Sequence, residues 1–530
     1  MKYLFTILLI SINLHASAQS VKLTTEETIK QKFPRPSYAN MDQSWTYFQD
    51  GNNTIRIDCK GGDKFEWQYF SKLYSQNCRV TIYKYDSNGD EILVNKLEND
   101  KKVFALMLPE AIEFNKKILL FYFRVTDKDA PKLYVSELDK NDLSLKNTQE
   151  VCTYGQTNED VAHSKKGIYW QMLLKLSDDK KKLLLAAPVY KDELFTCVYA
   201  SDMSIIRKKT SQFIIKDDIM ISDALLENTG NNSIVFKDFQ MTGELSGTFL
   251  PSVKGILLQK VNNTEVFIDA NFLDEEHRLV DAHFGISKYS SKTILFGDYL
   301  DKNWGAGIWL TDIESENLKI NKALLIPYPE DFAKRVCNLG FGKRLKDNYG
   351  LETLDYEMAE FENGDIAFCG SPTNHGLAGV YLVNADRDFS SAASIYSGPI
   401  MAAFISSNRK QNVFTMIPRY LDTDAGIKGI FITYKDKLLV FYNDFEKNIT
   451  GELLSDDVQQ KKKGILSLAY ASILKDGKIE SRTILELGSS KDDYYKTKNG
   501  KIISDRKILI PYSNAEKKSN VIKVANISIE

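Results

Sequence analysis

The stretch LLLAAPVYKDELFTCVY, from Leu183 to Tyr199, holds two short apolar runs separated by the charged turn Lys191-Asp192-Glu193. Neither run has helical spacing. Leu183 to Ala187 and Leu194 to Tyr199 are near-continuously apolar, as strands covered on both faces are. One such sheet cannot bury both faces alone. It needs a neighbour on each side.

The same two-part unit recurs along the chain. Phe65 to Phe70 precedes Val80 to Tyr85, and Ile118 to Phe123 precedes Leu133 to Glu137. Beyond the opening pair, Ile234 to Phe236 leads to Gly255 to Gln259, and Ile294 to Gly297 to Gly307 to Thr311. Three further pairs follow: Ile366 to Cys369 with Gly379 to Val383, Leu438 to Tyr442 with Gly464 to Ala469, and Ile508 to Tyr512 with Val521 to Ile527. The first strands start roughly 50 to 70 residues apart, the period of a four-stranded propeller blade with generous loops. Weaker strands precede many units, such as Trp170 to Leu176, Leu354 to Phe361 and Ile430 to Tyr434. Asn88-Gly89, Asn363-Gly364, Asp476-Gly477 and Asn499-Gly500 supply turns that accept positive φ.

These observations predict an all-β chain folded as a β-propeller of seven or eight four-stranded blades. Hairpin count gives eight; seven follows if the first and last units share a blade to close the ring. Pro399 to Ala425 reads as an insertion or an extra hairpin. A helix is expected near the start, where Thr24 and Glu27 form a capping box ahead of Ile29 and Phe33, with Pro34 and Pro36 ending it. Two β-sandwich or jelly-roll domains are the competing architecture. Regular spacing and the lack of a Pro/Gly/Ser-rich linker argue against it.

The repeat resembles that of secreted bacterial β-propeller proteins with degenerate repeats. The resemblance covers most of the chain, at the level of the fold. The Trp-Asp of WD40 repeats, the Gly-Gly of kelch and the Ser-x-Asp-x-Gly-x-Thr-Trp box of sialidase-like propellers are missing, so it carries no family function onto any residue.

Lys2, the apolar run Leu4 to Leu14 and Ala16-Ser17-Ala18 before Gln19 follow the pattern of a secretory signal peptide. The run is too short for a spanning helix. No Cys follows the cleavage point until Cys59, which argues against lipidation. The expected division is a signal peptide at 1–18, an N-terminal arm with a short helix and first strands at 19–62, and the propeller at 63–530. The expected destination is the periplasm or the extracellular medium. Were glycans added after export, Asn52 and Asn448 lie in acceptor sequons.

Charge is balanced at 69 basic and 71 acidic side chains, with no basic tract interleaved with aromatics, which excludes nucleic acid as an expected partner. None of the six cysteines sits in a CxxC pair. Buried free thiols are expected, with disulfides as the alternative.

Catalytic motifs are sparse. There is no GxSxG, GxxxxGK[ST] or GxGxxG, and no cofactor is expected. Asp274-Glu275-Glu276-His277-Arg278, with Asp281 and His283, is the densest constellation. His277 and His283 are six apart, so on one regular strand they share a face and, with a carboxylate, become the candidate metal ligands. A solvated acidic loop before a strand is the competing reading. Asp86-Ser87-Asn88-Gly89-Asp90 lacks the Gly and Glu positions of an EF-hand and reads as a hairpin turn. Trp304, in Asn303-Trp304-Gly305-Ala306-Gly307, is the candidate ligand-stacking residue. The expected function is a binding or interaction module, for a protein or a glycan, with its ligand surface on one rim of the channel. A glycoside hydrolase or lyase using channel-mouth carboxylates is the alternative.

Overall fold

The computed structural model describes residues 23–32, 43–60, 79–87, 90–97, 105–125, 132–153, 172–190, 193–212, 219–238, 253–269, 277–301, 306–338, 342–345, 348–351, 356–371, 373–375, 395–419, 429–449, 466–485, 493–495, 501–504, 506–514 and 521–529. Among the described residues the strands form eight antiparallel sheets, with two further two-stranded sheets. Six sheets have four strands. In the other two, split strands share a position, so each of the eight is a blade with four strand positions, inner to outer; in chain order the strands within 43–97 form blade 1, 105–153 blade 2, 173–212 blade 3, 219–269 blade 4, 277–327 blade 5, 357–417 blade 6, 430–484 blade 7, and 493–529 with 23–32 blade 8.

Alternation along the central strands explains how the blades assemble. In Lys182–Tyr190, Leu183, Leu185 and Ala187 pack with Phe121 and Leu133 of blade 2. Leu184 and Ala186 point the other way, onto Ile234 and Phe236 of blade 4. The same parity divides Leu438, Val440 and Tyr442 from Leu439 and Phe441 in blade 7. Successive strand side chains face opposite sides, so a continuous apolar run serves two seams at once. Seven buried cores join the eight blades in chain order among the described residues. A short helix, Glu330–Asn338, adds Phe332, Ala333 and Val336 to the core between blades 5 and 6.

The ring is closed by strand exchange between the chain ends. Leu23–Lys32 is the outermost strand of blade 8, paired with the C-terminal strand from Leu23↔Ile529 to Lys32↔Val521. The expected helix is therefore a strand. Its capping box is a weak local preference, and the unpaired edge of Val521–Ile529 offers a ladder of backbone hydrogen bonds that outweighs it.

Two pairings add strands to the expected units. Arg79–Tyr85 pairs with Asn53–Lys60 on one side and Glu91–Leu97 on the other; Phe65 to Phe70 lies outside the described residues. In blade 6, Ile366–Gly370 pairs with Ile400–Ile405, which continues to Asn412–Ile417. The segment read as an insertion or an extra hairpin is thus a hairpin that supplies the two outer strands. Six consecutive buried residues in Ile400–Ile405 fit a strand covered on both faces; Gly379 to Val383 lies outside the described residues.

Asp476-Gly477 makes the expected tight turn, with Gly477 at φ 83° and its N–H on the Leu474 carbonyl at 2.9 Å. Cys152, Cys197 and Cys369 are free thiols. Burial pushes the Cys152 thiol up to about 12, so it stays protonated and inert. Among the described residues no helix is long and apolar enough to cross a membrane.

Candidate functional site

The two faces of the ring differ. Turns between first and second strands, and between third and fourth, gather on one face and are short. Side chains tie these turns from blade to blade. Asn95 donates to the Leu143 carbonyl at 2.8 Å, Asn115 to that of Ser201 at 2.9 Å, and Lys209 to that of Asn263 at 2.8 Å. Lys260 donates to the Glu316 carbonyl, Lys288 N–H to Glu360 at 2.6 Å, and Lys475 to Asn363 at 2.7 Å. These bonds cross six successive seams. On the opposite face successive strand ends are separated by more residues, as between 60 and 79, 153 and 173, 238 and 253, 370 and 400, and 445 and 466.

Toward that second face, a polar cluster spans blades 4 to 6. The innermost strand of blade 5 is broken into His277–Leu279 and His283–Ile286. Between them the chain bulges over Gly297, where a Cβ would stand 2.0 Å from the Asp281 carbonyl oxygen. Only glycine leaves that space. Trp309, fully buried, donates its indole N–H to the carbonyls of Asp281 and Asp298, both at 3.1 Å, and so holds the bulge. Bulges re-aim side chains, and here the re-aimed residue is Asp281.

Asp281 is 3% exposed. One carboxylate oxygen pairs with Lys237 of blade 4, and the other meets His283 Nε2 at 2.7 Å. Burial works against its charge, but His283 and Lys237 together hold its carboxyl below the usual range. Asp298 has the opposite fate. Burial pushes it up to about 8, despite the hydrogen bond it accepts from Tyr328 at 2.7 Å, and the charge of Asp281 adds to the rise. The Tyr328 and Tyr356 hydroxyls are 2.5 Å apart, carrying the network into blade 6. At neutral pH the cluster thus holds one ionised and one protonated carboxyl. Next to it, the Phe284 N–H donates to Asp223 at 3.1 Å, and Asp223 pairs with Lys175 of blade 3 at 3.3 Å. Asp281 and Asp298 are enclosed. His283, with a side chain 19% exposed, is more open than its carboxylate partner.

His277 and His283 do not share a face, which corrects the reading from spacing. His277 stands opposite Asp301 and His283 opposite Phe296, so six steps on one strand match five on its partner. The extra residue at the bulge reverses the parity. His277 meets Tyr299 edge-on at 5.3 Å, while His283 lies 5.9 Å from the Phe296 ring. Among the described residues no three His, Cys, Asp or Glu side chains group to hold a metal ion.

Trp304 lies outside the described residues, as do Asp274 to Glu276 and the segment 1–18. The Asp86 segment is a turn, closed by Asp86 N–H on the Asp90 carbonyl at 2.9 Å. Asn448 is buried, with its amide donating to Asp444 at 3.0 Å, so this sequon is not open to a glycan. Sequence reasoning missed Lys237, Asp298, Tyr328 and Tyr356, which no short motif links. One signal was present: Asp298 is the lone acid inside the apolar strand TILFGDYL.

No family model matches the sequence, and no curated protein matches it. Among solved structures, the chain is similar to the WD40 domain of SCAP from fission yeast, at 11% identity over 96% of this chain and 98% of that one, TM-score 0.37. It is also similar to the β-propeller domain of the Trilobed protease from Pyrococcus furiosus, at 8% identity over 83% and 97%, TM-score 0.31. A third likeness is the endo-arabinase from Bacteroides thetaiotaomicron, at 10% identity over 57% and 93%, TM-score 0.27. At these scores the likenesses carry no functional weight. The propeller is established by the strand register and the seven inter-blade cores.

Proposed function

We propose that the chain is an exported binding or interaction module whose ligand surface lies on the face of the long connections. One observation supports this reading above others. Short turns cross-linked blade to blade occupy one face, leaving the other as the place where loops can vary on a rigid frame. The ligand is a protein or a glycan. The test uses the chain from Gln19, presented to a glycan array and to fractionated envelope and medium proteins. Shortening 239–252 should abolish whatever binding is found, and Tyr289→Ala on the turn face should leave it intact. The reverse pattern overturns the proposal. Export is tested separately, by N-terminal sequencing of protein recovered outside the cytoplasm: a start at Gln19 is expected.

The second reading is an enzyme acting on extracellular polysaccharide. His283 favours it, since an imidazole oriented by a buried carboxylate is the arrangement of a general base. Release of reducing ends or unsaturated products from a polysaccharide pool, lost in His283→Gln, would establish it. No product from any polymer would end it.

A further inference from the structure

The outermost strand of a blade has one edge without a neighbour in its own sheet, an open ladder of backbone N–H and C=O groups. Blade 8 shows that a strand from elsewhere adds to a blade edge, since Leu23–Lys32 reaches it from the other end of the chain. Asn412–Ile417, the outermost strand of blade 6, holds no charged residue. The outermost strands of the other blades each hold at least one, such as Lys96, Lys146, Lys209, Glu265, Lys319 and Glu480. Charges on an edge strand keep a further strand away. Blade 6 lacks that guard.

The edge is braced on both faces. Phe414 packs on Tyr328 and on Phe332 of the helix Glu330–Asn338, with each ring pair at 5.5 Å. On the other face a turn of blade 7 closes over Val413, where a Cβ at Gly477 would stand 2.8 Å from Val413 Cγ1. Asn412 is exposed, and Val413, Phe414 and Thr415 are half-buried. Among the described residues no segment pairs with the outer edge of this strand. Just before it, Lys410 is exposed and makes no ion pair among the described residues.

We propose that this edge docks an extended segment of another protein, which adds to blade 6 as a fifth antiparallel strand, uncharged along its paired residues and acidic at its C-terminal end. The backbone ladder supplies the binding, and a braced edge costs little ordering. An antiparallel arrival continues the pairing of the sheet and sets the C-terminal end of the segment beside Asn412, where Lys410 meets an acid. Six residues at about 3.4 Å each give an edge of roughly 20 Å. Two such edges paired across a two-fold cover far less than the roughly 800 Å² per partner of a stable dimer, which favours a peptide segment over a second copy. The site is separate from the face of the long connections.

A random heptapeptide library displayed on phage, panned against the chain from Gln19, tests the edge. The expected enrichment is an uncharged run of β-branched and aromatic residues with an acid at its C-terminal end. A synthetic peptide of the enriched sequence, read by fluorescence anisotropy, should bind Thr415→Lys at least about tenfold more weakly, because the lysine supplies the missing guard. Lys410→Glu should weaken binding about fivefold, and a peptide with lysine in place of its terminal acid should recover the loss. Misfolding cannot imitate that recovery. Shortening 239–252 should leave the binding intact. No enrichment, equal binding to both variants and wild type, or loss on shortening 239–252 overturns the proposal. So does a wild-type dimer in sedimentation that Thr415→Lys converts to a monomer, since the occupant is then a second copy.

Discussion

Replacing Asp298 with Asn should convert a pH-dependent stability into a flatter one. Asp298 is 7% exposed, and its carboxyl is pushed from 3.8 to about 8 by burial, opposed by Tyr328. The folded pKa lies above the unfolded value, so the folded state holds a proton that the unfolded chain releases. This contribution is fully present below the unfolded pKa and is lost as pH rises toward the folded one. Within that window each unit of pH removes about 1.4 kcal/mol. Between pH 4 and pH 7 the loss comes to roughly 4 kcal/mol, and above about pH 8 it stops growing. Asn keeps the size and an oxygen for Tyr328 but has no proton to lose. Urea unfolding of wild type and Asp298→Asn at pH 5, 6, 7 and 8 reads the difference directly. The variant should gain on wild type steadily across the series. A constant offset between the two would mean that Asp298 is ionised in the fold, and the account of the cluster would be wrong.

Three further outcomes follow from the packing. Gly297→Ala puts a Cβ 2.0 Å from the Asp281 carbonyl oxygen and should cost about 1–3 kcal/mol by overpacking, with a shift in the His283 imidazole resonances by NMR. An unchanged His283 spectrum would detach that histidine from the bulge. Phe121→Ala empties the core between blades 2 and 3 and should cost about 3–5 kcal/mol in chemical denaturation, so a loss below 1 kcal/mol contradicts the seam. Deleting 23–32 exposes the edge of Val521–Ile529, and sedimentation should then show self-association together with a lower melting temperature; a stable monomer would show that the ring does not depend on this strand.

The blades were legible because their central strands serve two seams and therefore read as unbroken apolar runs. Ile118 to Phe123 and Leu438 to Tyr442 could be placed from composition alone. Where a strand is chosen by its partner, local pattern failed. Leu23–Lys32 carries helix-start chemistry, yet the open edge across the ring decides its structure. Ile400–Ile405 lies in a segment that reads as an insertion or an extra hairpin, and only its pairing with Ile366–Gly370 shows it to be a strand of the blade. The candidate site was half visible. His283 and Asp281 are neighbours in sequence, but Lys237, Asp298 and Tyr356 come from strands and connections far along the chain. The parity error at His277 has a definite source: a bulge permitted by Gly297, more than ten residues away, cannot be read from the spacing of two histidines.

Because the central strands of blades 2 to 7 divide their side chains between two cores, none of those blades owns an interior. A chain built this way can lengthen by copying: an inserted blade brings one face for the neighbour before it and one for the neighbour after it. Sequence drift is then constrained seam by seam. A change at Leu183 has to be matched in blade 2 and a change at Leu184 in blade 4, so two adjacent residues of one strand answer to different parts of the molecule. That division of obligations lets repeats diverge until no shared signature survives, while the ring they form persists.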